Sequence, residues 1–159
     1  MKTRILQILG VAAIATIGMT SCEVDACKDV ECGDNGTCVE GDCVCDTGYE
    51  GTDCDTEERA KFIGTYNVTE ACTSGNYTYS ITTATSASGI TTIIISNFGD
   101  YGVNVTATVN GSNLTIANQT VGGGTFSGTG QISGNILTIT YNVTAGTSTD
   151  DCTMTCTKQ

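Results

Sequence analysis

The reactive side chains of this 159-residue chain are ten cysteines and seventeen carboxylates, and histidine is absent. Thiols can cross-link, ligate metal, attack as nucleophiles or be acylated, and carboxylates can work as acid–base pairs or bind hard cations. Without imidazole, the side chain most used for proton transfer near neutral pH and the commonest metal ligand, triads of the Ser-His-Asp kind and histidine-bearing zinc sites are excluded. The acids available to an enzyme in the second half are Glu70, Asp100, Asp150 and Asp151. A glycosidase pair must stand roughly 5–10 Å apart, and nothing in this spacing arranges that. Glu70 has core parity on its strand but sits near the strand end, where it can reach solvent; Asp150 and Asp151 fall in a polar loop and suit a turn or cap. Cys156 has no base partner. A non-enzymatic chain is expected, with no catalytic residue, metal or cofactor. A net charge of −11 with six unclustered basic residues also excludes a nucleic-acid surface.

These groups have to be positioned by three stretches of distinct composition. In the first, Lys2 and Arg4 precede an apolar run from Ile5 to Ile17, followed by Gly18, Met19, Thr20, Ser21 and Cys22. This is the pattern of a secretory signal peptide, expected over residues 1–21, and the run is too short to span a bilayer. Met19 to Cys22 resembles the lipobox of bacterial lipoproteins. That resemblance implies diacylation of the Cys22 thiol and cleavage before it, so that Cys22 becomes the first mature residue and anchors the protein; Glu23 at the second position implies the outer membrane. Several chains at about 0.8 kcal/mol per buried methylene would hold the protein there durably. The expected location is therefore the bacterial cell envelope, with exposure at the cell surface left open.

From Cys22 to Ala60 there are thirteen carboxylates against Lys28 and Arg59, and Cys27, Cys32, Cys38, Cys43, Cys45 and Cys54 crowd into twenty-eight residues. Such a span cannot bury a core of its own and must be stapled; six cysteines allow fifteen pairings. The segment Cys43-Val44-Cys45-Asp46-Thr47-Gly48-Tyr49-Glu50-Gly51-Thr52-Asp53-Cys54 resembles the C-terminal half of an EGF-like domain, and the short gap from Cys38 to Cys43 is similar to the tenascin type. The resemblance implies an EGF-like module over residues 22–55 with the pairs Cys27–Cys38, Cys32–Cys43 and Cys45–Cys54. Glu23, Asp25 and Asp29 lie near the ligand positions of calcium-binding relatives, but Ala26 stands where those carry an acidic or amide side chain. Solvation is the reading of these acids, and calcium is not expected.

Residues 56–60 read as a charged linker or a single helical turn. Beyond them the hydropathy period is two: Val103, Val105, Ala107 and Val109 alternate with polar residues, as do Leu137, Ile139, Tyr141 and Val143. Eight strands are predicted, over 64–72, 77–84, 90–98, 103–110, 113–118, 125–132, 136–143 and 151–157. Turn chemistry at Asn110-Gly111 and Gly134-Asn135 makes neighbours hairpin partners. The fold class is all-β: a stapled module, then an antiparallel eight-stranded meander over 61–159, closed as a barrel or a sandwich. In an up-and-down arrangement the end of the first strand lies across from the start of the last, which sets Cys72 opposite Cys152 as a disulfide. Cys156, four residues on and so about 13 Å away, is the leftover buried thiol. Lys61-Phe62-Ile63-Gly64-Thr65-Tyr66 resembles the Gly-x-Trp opening of lipocalin-like barrels, with tyrosine for tryptophan.

Two functions follow as expectations. The first is an outer-membrane-anchored interaction or adhesion module with a protein or glycan partner. The second, implied by the lipocalin resemblance, is a carrier holding a small hydrophobic ligand inside the barrel. A lumen filled by Ile93, Ile95, Val105, Leu114, Ile116 and Ile139 would speak against the carrier.

Overall fold

The computed structural model describes residues 25–159. The expected signal peptide and lipidation site, Cys22, lie outside them. The first unit carries two short antiparallel pairs, β1 (Gly36–Val39) with β2 (Asp42–Cys45), and β3 (Tyr49–Glu50) with β4 (Thr56–Glu57). Cys27–Cys38, Cys32–Cys43 and Cys45–Cys54 are joined, the pairing implied by the EGF resemblance. These bridges replace a hydrophobic core: Cys32 and Cys54 are the buried apolar residues of this unit. At about 2–4 kcal/mol each they are what holds it folded.

The second unit is a closed antiparallel barrel, which decides between the two predicted closures. Its strands are β5 (Gly64–Cys72), β6 (Gly75–Thr85), β7 (Thr92–Phe98), β8 (Val103–Asn110), β9 (Asn113–Val121), β10 (Gly124–Ser133), β11 (Ile136–Ala145) and β12 (Ser148–Lys158), and β12 returns to pair with β5. Several strands outrun the prediction. The alternation of apolar and polar residues fades near the ends of β9, β11 and β12, but ladder pairing there satisfies the backbone whatever the side chain. The ladder therefore continues to two-residue turns at Thr73-Ser74, Gly122-Gly123 and Gly146-Thr147. Ile90, expected to open the third strand, lies in the β6–β7 loop.

Inward positions fill the lumen. Ile93, Ile95, Val105, Leu114, Ile116 and Ile139 are at most 2% exposed, so the cavity that a carrier would need along the axis is occupied. Each such side chain contributes on the order of 1.5–3 kcal/mol. Gly128 lets β10 and β11 approach closely: a Cβ there would lie 2.5 Å from the Thr140 carbonyl oxygen and 2.6 Å from Tyr141 Cβ. Glu70 is not at a solvent edge, as its place on the strand suggested, but 4% exposed inside the barrel.

Residues 56–60 form β4 and the start of a 3-10 turn over Glu58–Phe62 that delivers Phe62, fully buried, into the base of the barrel. The turn docks the two units together. The Arg59 guanidinium donates to the carbonyls of Ser86, Gly89 and Thr92 at 2.8–3.2 Å and pairs with Glu57. Lys61 pairs with Glu50 at 2.6 Å, the Glu58 amide donates to the Gly48 carbonyl, and the Gly111 amide donates to Glu58. Gly48, at φ +93°, lies so close to the barrel that a Cβ would sit 2.7 Å from Ile90 Cγ2.

Candidate binding site at the distal mouth of the barrel

Antiparallel strands put alternate turns at opposite ends. The β6–β7, β8–β9 and β10–β11 connections share the base with Phe62 and the EGF-like unit; the β5–β6, β7–β8, β9–β10 and β11–β12 connections ring the other end. There the barrel opens into a cup of about 590 Å³. Val103, Val121, Phe126 and Val143 form its apolar wall, Tyr101 and the Gly122-Gly123-Gly124 turn its rim, and Thr73, Ser74 and Asp150 a polar side. The volume falls within the range of small-ligand sites.

Behind the cup's lining, the core that Phe126 packs against is aromatic and acidic. Phe98 meets Tyr141 with ring centroids 4.6 Å apart and Phe126 at 5.8 Å, both edge-on, and Phe126 also meets Tyr101 at 5.8 Å. The Tyr141 hydroxyl donates to Glu70 Oε1 at 2.8 Å. The Tyr79 hydroxyl is buried without a hydrogen-bond partner. Burial, and then the hydrogen bond to Glu70 and its charge, push Tyr141 far above the usual phenol range; burial followed by the Glu70 and Tyr141 charges does the same for Tyr79.

The polar side is built by the last strand. Cys152, Met154 and Cys156 point inward, and the same parity carries Asp150 to the inner face at the mouth. Asp150 is thus a strand residue rather than a loop residue, although it does take the expected turn-capping role. Its carboxylate accepts from the hydroxyls of Thr73 and Ser74 and from the Ser74 amide at 3.1 Å. Those bonds, Ser74's first, hold its carboxyl below the usual range. Asp151 points outward and accepts from Asn142 Nδ2 at 2.8 Å.

Tyr101 at the rim belongs to the tip of the β7–β8 hairpin, which begins just after the buried Phe98 at the end of β7. The β6–β7 ladder covers only Thr82–Thr85 against Ile93–Ser96, and the β8–β9 ladder only Thr108–Asn110 against Asn113–Thr115. Beyond those limits side-chain amides bridge the gaps. Asn97 Nδ2 donates to the Ser80 carbonyl at 2.9 Å, and Asn97 Oδ1 accepts from the Gly102 amide at 3.1 Å. Gln119 bridges β9 to Thr106.

Among the other residues singled out in the sequence, Cys72 is bonded to Cys152 and sits opposite it in the register. Cys156 is a fully buried free thiol opposite Val68. Glu70, Cys72 and Cys152 bring three ligand-type atoms within 4.8 Å of one another, but both sulfurs are tied up in the disulfide, so the grouping does not suit a metal. Asp100 lies exposed in the hairpin tip, and Asp25 and Asp29 on the EGF-like surface. Sequence reasoning missed Tyr101, Gln119 and the inward face of Asp150; only the last had a signal, the parity of Cys152, Met154 and Cys156 read one step further back.

A family model described as a teneurin-like EGF domain matches residues 27–57, which include all six cysteines of the first unit. No curated protein matches the chain.

Proposed function

We propose that the chain is an exported, non-enzymatic envelope protein, anchored to the outer membrane through a diacylated Cys22, whose barrel offers its distal mouth to a protein or glycan partner. The observation that carries this reading is the placement of the two ends. The EGF-like unit docks on the base that Phe62 closes, and the open cup with its four turns lies opposite. Anchor, stapled spacer, closed base and open mouth then follow in order, as a display module needs. The lipocalin resemblance supports a second reading, carriage of a small ligand. Because the lumen is filled, that ligand would occupy the mouth rather than the axis.

The test places photo-crosslinking residues in the full-length protein in cells, at Tyr101 and Thr147 on the mouth and at Thr129 on the wall. A discrete adduct at the mouth positions alone is expected. Equal labelling of mouth and wall, or none at the mouth, would defeat the reading. Fatty-acid labelling that is lost with Cys22→Ala tests the anchor separately.

A further inference from the structure

We propose that the distal cup is a binding site for a small amphipathic organic cation, its ammonium group on the Asp150 carboxylate and its aromatic or aliphatic body against Val103, Val121, Phe126 and Val143. The inference deepens the reading of the mouth as the binding end and rests on it.

Four features of the cup select this class. The carboxylate is preorganised: three donors from Thr73 and Ser74 fix its orientation before any ligand arrives. It lacks a counter-charge. No lysine or arginine lines the cup, and the ion pairs of the described residues, Arg59 with Glu57 and Lys61 with Glu50, lie at the other end. An anionic ligand would meet like charge, and a purely apolar one would desolvate a carboxylate without replacing its water, which is unfavourable. The aromatic faces of Tyr101 and Phe126, 5.8 Å apart, suit an ammonium through their quadrupoles as well as an apolar body. Two wall strands, β9 and β10, are joined by the Gly122-Gly123 turn, where no side chain closes the entrance.

Titration calorimetry on the whole exported chain, with Cys22→Ser to keep it free of lipid, tests this with three probes of one shape: 2-phenylethylammonium, 2-phenylethanol and 3-phenylpropionate. Saturable binding of the ammonium is expected, about tenfold or more tighter than the alcohol, with the carboxylate not binding. Asp150→Asn keeps an oxygen for Thr73 and Ser74 to donate to and should bring ammonium and alcohol to equal affinity. If that variant does not fold, the ratio in the unsubstituted cup decides alone. Val143→Trp, which fills the cup, should abolish all binding. Equal affinities for ammonium and alcohol, or a carboxylate that binds as well, would overturn the cation site. No saturable binding of any probe would overturn it too, while leaving partner docking to the mouth turns standing or falling on its own crosslinks.

Discussion

Gln119 of β9 replaces a strand neighbour for Thr106 of β8. Its Oε1 accepts from the Thr106 amide at 2.9 Å, and its Nε2 donates to the Thr106 carbonyl at 2.7 Å. This is the reciprocal exchange that an antiparallel backbone partner would make. It occurs where the β8–β9 ladder has already stopped at Thr108 and Thr115. One carboxamide therefore closes the seam beside the cup, and it leaves the hairpin tip fastened by two side chains, Gln119 and Asn97, rather than by continuous sheet.

Removing that carboxamide should open the seam without unfolding the barrel. Gln119→Ala is expected to destabilise the chain by about 1–2 kcal/mol, the range for losing exposed hydrogen bonds of this kind. The selective effect should be on hydrogen exchange: the Thr106 amide should exchange much faster while the amides of β11 and β12 do not change. Gln119→Glu, which keeps an acceptor for the Thr106 amide and loses the donor to its carbonyl, should fall between. Uniform acceleration across the sheet would mean that the seam is not a local unit.

The thiol chemistry should be equally local. Peptide mapping of the non-reduced protein should recover Cys72 joined to Cys152 and Cys156 unmodified. Burial, and then the Glu70 charge, push the Cys156 thiol up to about 12, so almost no thiolate exists at pH 8 even before access is considered. Alkylation at that pH should track global unfolding, and the Cys72–Cys152 double serine variant should speed it. That bridge closes a loop of 80 residues, and its loss should cost on the order of 4 kcal/mol.

How far these features could be read in advance depends on range. Parity along β5 and β12, together with up-and-down topology, suffices to set Cys72 against Cys152, because both arguments use only the two-residue period and strand order. The cysteine spacing and the Gly-Tyr and Gly pattern after Cys43 suffice for the stapled unit. The seam at Gln119 has no counterpart in the pattern, since the irregularity opposite Ser127 shifts the parity of β9 and a glutamine there looks like any solvated residue until the ladder beside it is known to stop. Residues 56–60 look like a linker for a related reason. Charged side chains signal solvent locally, whereas here Arg59 turns inward to three carbonyls that lie about thirty residues away in the chain.

Arg59 supplies the next expectation. Three main-chain carbonyls of the β6–β7 connection depend on one guanidinium, so Arg59→Ala should leave them to water and free the docked units from one another. Hydrogen bonds to a charged donor are worth roughly 1.5–3 kcal/mol each when buried, and less at this partly exposed junction, so a loss of about 2 kcal/mol is expected. Arg59→Lys should recover only part of it, because a single ammonium lacks the second nitrogen with which the guanidinium holds Glu57 through Nε while Nη1 serves the carbonyls. Residual dipolar couplings should then report separate alignment for the EGF-like unit and the barrel, which in the unsubstituted chain align as one body.

Alkaline pH should unfold the barrel from inside. Burial, and then the Cys156 charge, raise Tyr66 from 10.0 to about 12, and Cys156 rises from 9.0 to about 12. Tyr79 and Tyr141 are raised further still. In each case the folded state holds a proton that the unfolded chain releases earlier. The stabilisation is therefore complete below about pH 9 and is lost as pH climbs towards 12, at about 1.4 kcal/mol per pH unit for each group in its window. Denaturant titrations at pH 8, 9, 10 and 11 should show a midpoint that holds steady at first and then falls ever more steeply. Phenolate absorbance from these buried tyrosines should appear with the unfolding transition and not before it. A Tyr66→Phe variant, which removes one of the titrating groups, should flatten the fall above pH 10. It also deletes the hydrogen bond from Tyr66 Oη to the Phe62 carbonyl at 2.7 Å, so its stability at pH 8 should be lower. The two curves should converge as the pH rises, because the advantage of the hydroxyl is the part that ionisation removes.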